Sequence, residues 1–162
     1  MTGKALFAIG ILAAAAPAPA DAQLARRTFG GIPRWADSAL VTAGVGRRFV
    51  VSSELNTIYE FGDFDGDGLL DVAVQIKDPG GLRYGIAIVH RSDRSVHVVG
   101  AGQPIGNGKD QLSWRASWGV DAPRDVRGHA RFGRDLLYIS EAGAPSGWVI
   151  WDGRAYVWIE SD

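Results

Sequence analysis

The chain reads as mainly β: a single antiparallel β domain of meander and hairpin type, with one short N-terminal helix and an acidic loop between two strands. Three observations predict this. The 162 residues include 22 glycines and six tryptophans but few stretches of helical periodicity, a balance that favours short strands and tight turns. Apolar runs are bounded by strong turn signals, above all Asp78-Pro79-Gly80-Gly81 and Asp152-Gly153, and Asp-Gly between two alternating runs is a hairpin signature. From Gln23 onward 140 residues remain, which is one domain by length and enough to bury a core without disulfides.

Taken in order, Met1 to Ala22 has the pattern of an export signal. Lys4 supplies a positive start, Ala5 to Ala16 an apolar centre, and Ala20-Asp21-Ala22 a small-x-small cleavage pattern before Gln23. Pro17 and Pro19 cut the apolar run short of the about twenty residues that a membrane span needs, so no span is expected after cleavage. With no cysteine there is neither a lipoprotein anchor nor a disulfide framework, and the expected location is periplasmic or secreted. Residues 23–32, with Arg26 and Arg27, are expected as a flexible lead-in. Residues 33–162 then form the β-rich domain.

Within it, Pro33 to Ala43 is the helix, because Trp35, Ala39 and Leu40 share a face and Gly44 follows as a stop. Strands are expected at Arg47 to Ser53, Ile58 to Phe61, Leu70 to Ile76, and in a hairpin of Arg83 to His90 with Ser95 to Val99. From Gly100 to Gly133 the pattern weakens into an irregular, glycine-rich segment carrying Trp114 and Trp118. Long loops are uncommon unless functional or disordered, so this is the second place to look for function. Asp135 to Ser140 resumes the strands, and Trp148 to Trp151 pairs with Ala155 to Ile159 in a closing hairpin. Alternation sends Trp148 and Ile150 to one face, and Val149 and Trp151 to the other.

The stretch with the clearest chemistry is Gly62-Asp63-Phe64-Asp65-Gly66-Asp67-Gly68-Leu69-Leu70-Asp71-Val72-Ala73-Val74. Carboxylates at loop positions 1, 3, 5 and 9 put four negative charges into nine residues, and a hard cation among them relieves their repulsion. Asp63, Asp65 and Asp67 alternate along a turn that Gly66 and Gly68 permit, Leu69 offers its backbone carbonyl, and Asp71 closes the set directly or through water. Leu70, Val72 and Val74 are expected as the buried face of the strand that follows. An EF-hand would carry a bidentate Glu at position 12, where this chain has Val74, and no amphipathic helix flanks the loop.

Phe61 to Val74 resembles the calcium loop of FG-GAP and VCBS-type repeats, the blades of integrin-like β-propellers. The resemblance implies Ca2+ bound by Asp63, Asp65, Asp67 and Asp71, with Leu69 by its carbonyl, in a loop joining two strands. It covers about fourteen residues and is specific for the metal, not for an activity. The loop occurs once, whereas a propeller takes about four to eight blades. The whole chain is also similar to small secreted bacterial proteins of unknown function that pair one such loop with a terminal Trp-Asp-Gly hairpin.

Other function classes find little support. The net charge is −1, which does not suggest a nucleic-acid surface. No Gly-x-Ser-x-Gly elbow, His-Glu-x-x-His, phosphate loop or cysteine nucleophile occurs. His90 and His97 could lie near each other across their hairpin, with Asp93 in its turn, but all three are expected as solvent-facing, and His129 as isolated. Glu54, Glu60, Glu141 and Glu160 could pair for glycoside hydrolysis only through the fold. Trp114 and Trp118 are the expected exposed pair, able to stack on a sugar or peptide, while most other tryptophans fill the core. The expected protein is an exported, non-enzymatic binding or interaction module with one structural Ca2+, directed at an envelope glycan or protein. Its alternatives are a hydrolase of envelope polymers and a single propeller-blade-like unit that assembles with others.

Overall fold

The computed structural model describes residues 29–105, 109–122, 134–142 and 147–161; the expected signal, residues 23–28 of the lead-in and His129 lie outside them. Among the described residues two short helices, α1 (Arg34–Thr42) and α2 (Val45–Arg48), precede nine strands in two antiparallel sheets. Sheet 1 holds β1 (Val50–Val51), β2 (Tyr59–Gly62), β3 (Asp71–Lys77), β4 (Tyr84–Val89) and β5 (Val96–Gly100). Sheet 2 is the meander β6 (Ser117–Asp121), β7 (Leu136–Ser140), β8 (Gly147–Trp151) and β9 (Tyr156–Glu160). The chain is mainly β, as its sequence predicts.

Pro33 starts α1 with its fixed backbone angle, and its carbonyl accepts from the amides of Ala36 and Asp37. Ala36, Ala39 and Leu40 recur at helical spacing and are buried. Gly44, at φ 69°, ends the helix, and the chain re-enters a further turn, α2, where a strand from Arg47 was expected. Phe29, inside the expected flexible lead-in, is instead buried under α1, and its amide donates to Asp37 at 2.6 Å. The packed structure therefore reaches into that segment.

Both faces of β3 are covered. Val72, Val74 and Ile76 pack with the helices, together with Ala87 and Val89 of β4. Ala73, Ile86 and Ile88 face sheet 2 and meet Leu137, Ile139, Val149, Tyr156 and Trp158. Three layers result: helices, sheet 1, sheet 2. On the outer face of sheet 2, Leu136 and Ile150 pack with Trp148 and Ile159, so the last hairpin alternates as its sequence predicts.

β1 and β2 lie end to end along one edge of β3, making the five-stranded sheet four strands across. Gln75 sits at the break: its amide donates to the Ile58 carbonyl and its carbonyl accepts from the Ser52 amide, while residues 53–57 loop out. Its side chain fills that gap, donating to the carbonyls of Leu55 and Thr57 and accepting from the Arg115 guanidinium at 3.2 Å. Arg115 is itself buried, donates to the Leu112 carbonyl at 2.9 Å, and lies over the Tyr84 ring. The Trp118 indole of β6 donates to the Thr57 carbonyl at 2.7 Å. One polar network thus ties the break in sheet 1 to the first strand of sheet 2.

Replacing Gln75 by Leu strands donors of a buried guanidinium, leaves the Leu55 carbonyl without its partner and leaves the Thr57 carbonyl with the Trp118 indole alone. The expected loss is about 2 to 4 kcal/mol, seen as a lower urea midpoint at unchanged slope.

Candidate metal centre

The loop of residues 63–70 connects β2 to β3, and its own amides organise it. The Asp63 carboxylate accepts from Gly66 at 2.8 Å, Asp67 at 3.0 Å and Gly68 at 2.9 Å. Asp65 accepts from the Asp67 amide at 3.1 Å, and Asp67 from the Leu69 amide at 2.7 Å. Gly66 and Gly68 hold φ of 83° and 84°, a region that L side chains rarely adopt. Phe64 turns the other way and is buried between the sheets. A Cβ on Gly62 would come within 2.6 Å of that ring, so glycine there lets it close over the strand end. Asp135, just before β7, clasps the loop from sheet 2. Its carboxylate accepts from the Asp63 amide at 2.9 Å, and its amide donates to the Asp63 carbonyl at 2.8 Å.

The structure divides the expected ligands into two groups. Oxygens of Asp63, Asp65 and Asp67 lie within 4.8 Å of one another. Ligands on opposite sides of a Ca2+ ion, bonded at about 2.3–2.6 Å, stand about 5 Å apart, so this all-oxygen set fits one such ion. Asp71 is fully buried and turned inward, where it accepts from the Phe64 amide at 3.0 Å and the Arg91 amide at 2.8 Å. It groups with Asp65 and with His90, again within 4.8 Å. Leu69 is exposed beside the turn. Leu70, expected on the buried face, is 53% exposed; β3 starts one residue later, and Asp71 takes the first inward position.

Burial dominates the electrostatics. It pushes the Asp71 carboxyl up to about 7, with Asp65 adding to the rise and the Arg91 and Phe64 amides opposing it. Asp65 is raised, again chiefly by burial. His90 is lowered by burial, although Asp65 draws it the other way.

Two participants escaped the sequence reading. His90, expected in solvent, is buried, with Nε2 2.7 Å from the Tyr156 hydroxyl and Nδ1 3.4 Å from Asp65 Oδ2. Its parity with Ile86 and Ile88, which face sheet 2, is a signal that could have placed it. His97 is half-buried with its ring 4.7 Å from that of His90, so the two are neighbours across the hairpin. Asp135 carried no local signal.

The expected exposed pair of tryptophans is not found. Trp118 is buried, and Trp114 is half-buried with its ring edge-on to Trp158 at 5.4 Å. Both belong to the core that joins the sheets, because the weak segment that carries them includes the unforeseen strand β6. A cleft of about 400 Å³ lies elsewhere, lined by Trp35, Ser38, Ala39, Thr42, Ala43, Arg94 and Val96, with the Arg94 guanidinium 4.7 Å from the Trp35 ring. Among the described residues no helix is long and apolar enough to cross a membrane. No protein-family model, curated protein or solved structure matches the chain.

Because Asp71 binds its proton more tightly folded than unfolded, chelator-treated protein loses stability as pH rises from about 4 through 7, by up to about 1.4 kcal/mol per pH unit. Urea midpoints across this window check the sign. In Asp71→Asn, less stable overall because one of the two amides faces an NH2, the Asp71 part of this fall disappears, leaving the fall from Asp65 and the opposing rise from His90 and His97, whose pKa values burial lowers.

Proposed function

We propose that this chain is an exported calcium-binding protein whose single structural Ca2+ is held by Asp63, Asp65, Asp67 and the Leu69 carbonyl. Asp71 braces the loop from behind through the Phe64 amide. In this reading the protein is a non-enzymatic binding or interaction module at the cell envelope, periplasmic or secreted, acting on an envelope glycan or protein. The observation that carries it is the convergence of three carboxylates within 4.8 Å on a turn already shaped by its own amides. Such a turn spends little conformational entropy when an ion arrives. The resemblance of Phe61 to Val74 to FG-GAP and VCBS-type loops supports the same ion. Lys4, the apolar run after it and Ala20-Asp21-Ala22 support export.

These groups supply the protein part of the about six to eight oxygens that Ca2+ takes, with water completing the set, and in this reading the ion's role is to stiffen the fold. Phe64 carries the loop into the space between the sheets and Asp135 holds it from sheet 2. Ordering the loop therefore orders the seam.

For protein lacking residues 1–22 and stripped with chelator, added Ca2+ raises the melting temperature. Calorimetric titration gives a Kd of about 0.1 to 1 mM, and Ca2+ at a hundredfold excess over Kd adds about 2.7 kcal/mol. Asp67→Asn, which keeps an oxygen for the Leu69 amide but removes a charge, weakens Ca2+ about tenfold or more. A melt indifferent to both chelator and Ca2+ overturns the calcium reading. Export is checked separately: the full chain expressed in a bacterium should appear outside the cytoplasm, shortened at Ala22.

A further inference from the structure

We propose that Asp65, Asp71 and His90 form a second, inner cation site that takes a transition-series divalent ion such as Zn2+ or Mn2+ rather than calcium. The three side chains come from the loop, the start of β3 and the residue after β4, and their ligand atoms lie within 4.8 Å of one another. An imidazole nitrogen among carboxylate oxygens is a donor set suited to Zn2+ or Mn2+, whereas calcium takes oxygen alone.

His90 is held in the manner of a metal ligand. The residue is 3% exposed, Nε2 meets the Tyr156 hydroxyl at 2.7 Å, and rings of His97, Trp151 and Tyr156 pack around it. In the ligating tautomer Nε2–H donates to the Tyr156 hydroxyl and the Nδ1 lone pair is left for an ion on the Asp65 side; an outer partner of this kind commonly fixes the tautomer of a ligating histidine. Burial, which lowers the His90 pKa, favours the neutral ring that can ligate.

The spacing is also informative. Nδ1 stands 3.4 Å from Asp65 Oδ2, longer than the about 2.7–2.9 Å of a charge-assisted hydrogen bond. Two ligands bonded at about 2.1 Å to one tetrahedral ion are separated by about 3.4 Å. The Asp71 oxygens each accept one amide, and each keeps a second lone pair. Asp65, with 13% of its side chain exposed, is the entry point. The inner donor set is present with or without calcium in the loop, and when both ions are bound the Asp65 carboxylate is shared between them.

The test uses Co2+ as a spectroscopic probe on the chain lacking residues 1–22, with excess Ca2+ present. The expected result is one equivalent bound, a visible absorption band, and a hyperfine-shifted imidazole N–H resonance that disappears in D2O. His90→Gln removes the resonance and weakens Co2+ at least about tenfold while the Ca2+-dependent rise in melting temperature persists; His97→Gln keeps both. Absence of the shifted resonance in the unaltered protein overturns the inner site, and this readout holds even where His90→Gln fails to fold. Co2+ displaced by Ca2+ with a spectrum insensitive to His90→Gln overturns it equally, placing the probe in the outer loop. Should the resonance appear while the melt ignores Ca2+, only the calcium reading fails.

Discussion

The arrangement depends on one buried carboxylate. Asp71 opens β3, pairs in register with Gly62 at the end of β2, and accepts the amides of Phe64 and Arg91. Those amides belong to the acidic turn and to the turn after β4, so a single side chain fastens both to the central strand. A buried amide left without an acceptor costs about 1–3 kcal/mol, and losing Asp71 would orphan two. The acidic turn cannot shift without disturbing the strand it leads into.

The inner face of β3 repeats this logic along its length. Asp71, Ala73 and Gln75 alternate toward sheet 2, polar at both ends and small in the middle. Beside Asp71 stand His90 and Tyr156; beside Gln75 stand Arg115 and the Trp118 indole. Between them the apolar contacts of Ile86 and Ile88 with sheet 2 fill the seam. Apolar burial supplies driving force without direction, whereas hydrogen bonds at the two ends specify how the sheets meet.

Much of this was legible from local pattern. The strands of the first meander, the last hairpin with its Asp152-Gly153 turn, and α1 all follow from alternation, helical spacing and turn residues. Helix α2 was hidden because Phe49, Val50 and Val51 dominate their window and draw Arg47 and Arg48 into an apparent strand, although Gly44 was readable as the stop before it. β6 was hidden because Ser117, Gly119 and Asp121 give its strand no apolar face beyond Trp118 and Val120. The tryptophans were misplaced because their partners are distant in sequence: Trp118 packs in the core between the sheets, and its indole donates to the carbonyl of Thr57, sixty-one positions away. In the candidate site the outer aspartates were readable from spacing alone. The inward turn of Asp71 and the arrival of His90 and Asp135 are products of the tertiary fold, which local spacing does not encode.

The charge balance of the turn explains why an ion belongs to the proposed reading. Two carboxylates about 5 Å apart repel by about 3 kcal/mol at an effective dielectric near 20, and Asp63, Asp65 and Asp67 make three such pairs. Asp63 accepts three amides, which offsets much of its charge, but Asp65 and Asp67 accept one each. The remaining charge must be spread into water, neutralised by protons or met by a cation. Water is least able to help at Asp65, which is pressed toward the buried Asp71 and His90. A divalent ion relieves the outer and inner repulsions together. Under the proposed reading its binding energy passes through Phe64 and Asp135 into the contact between the sheets, so occupancy sets the rigidity of that contact.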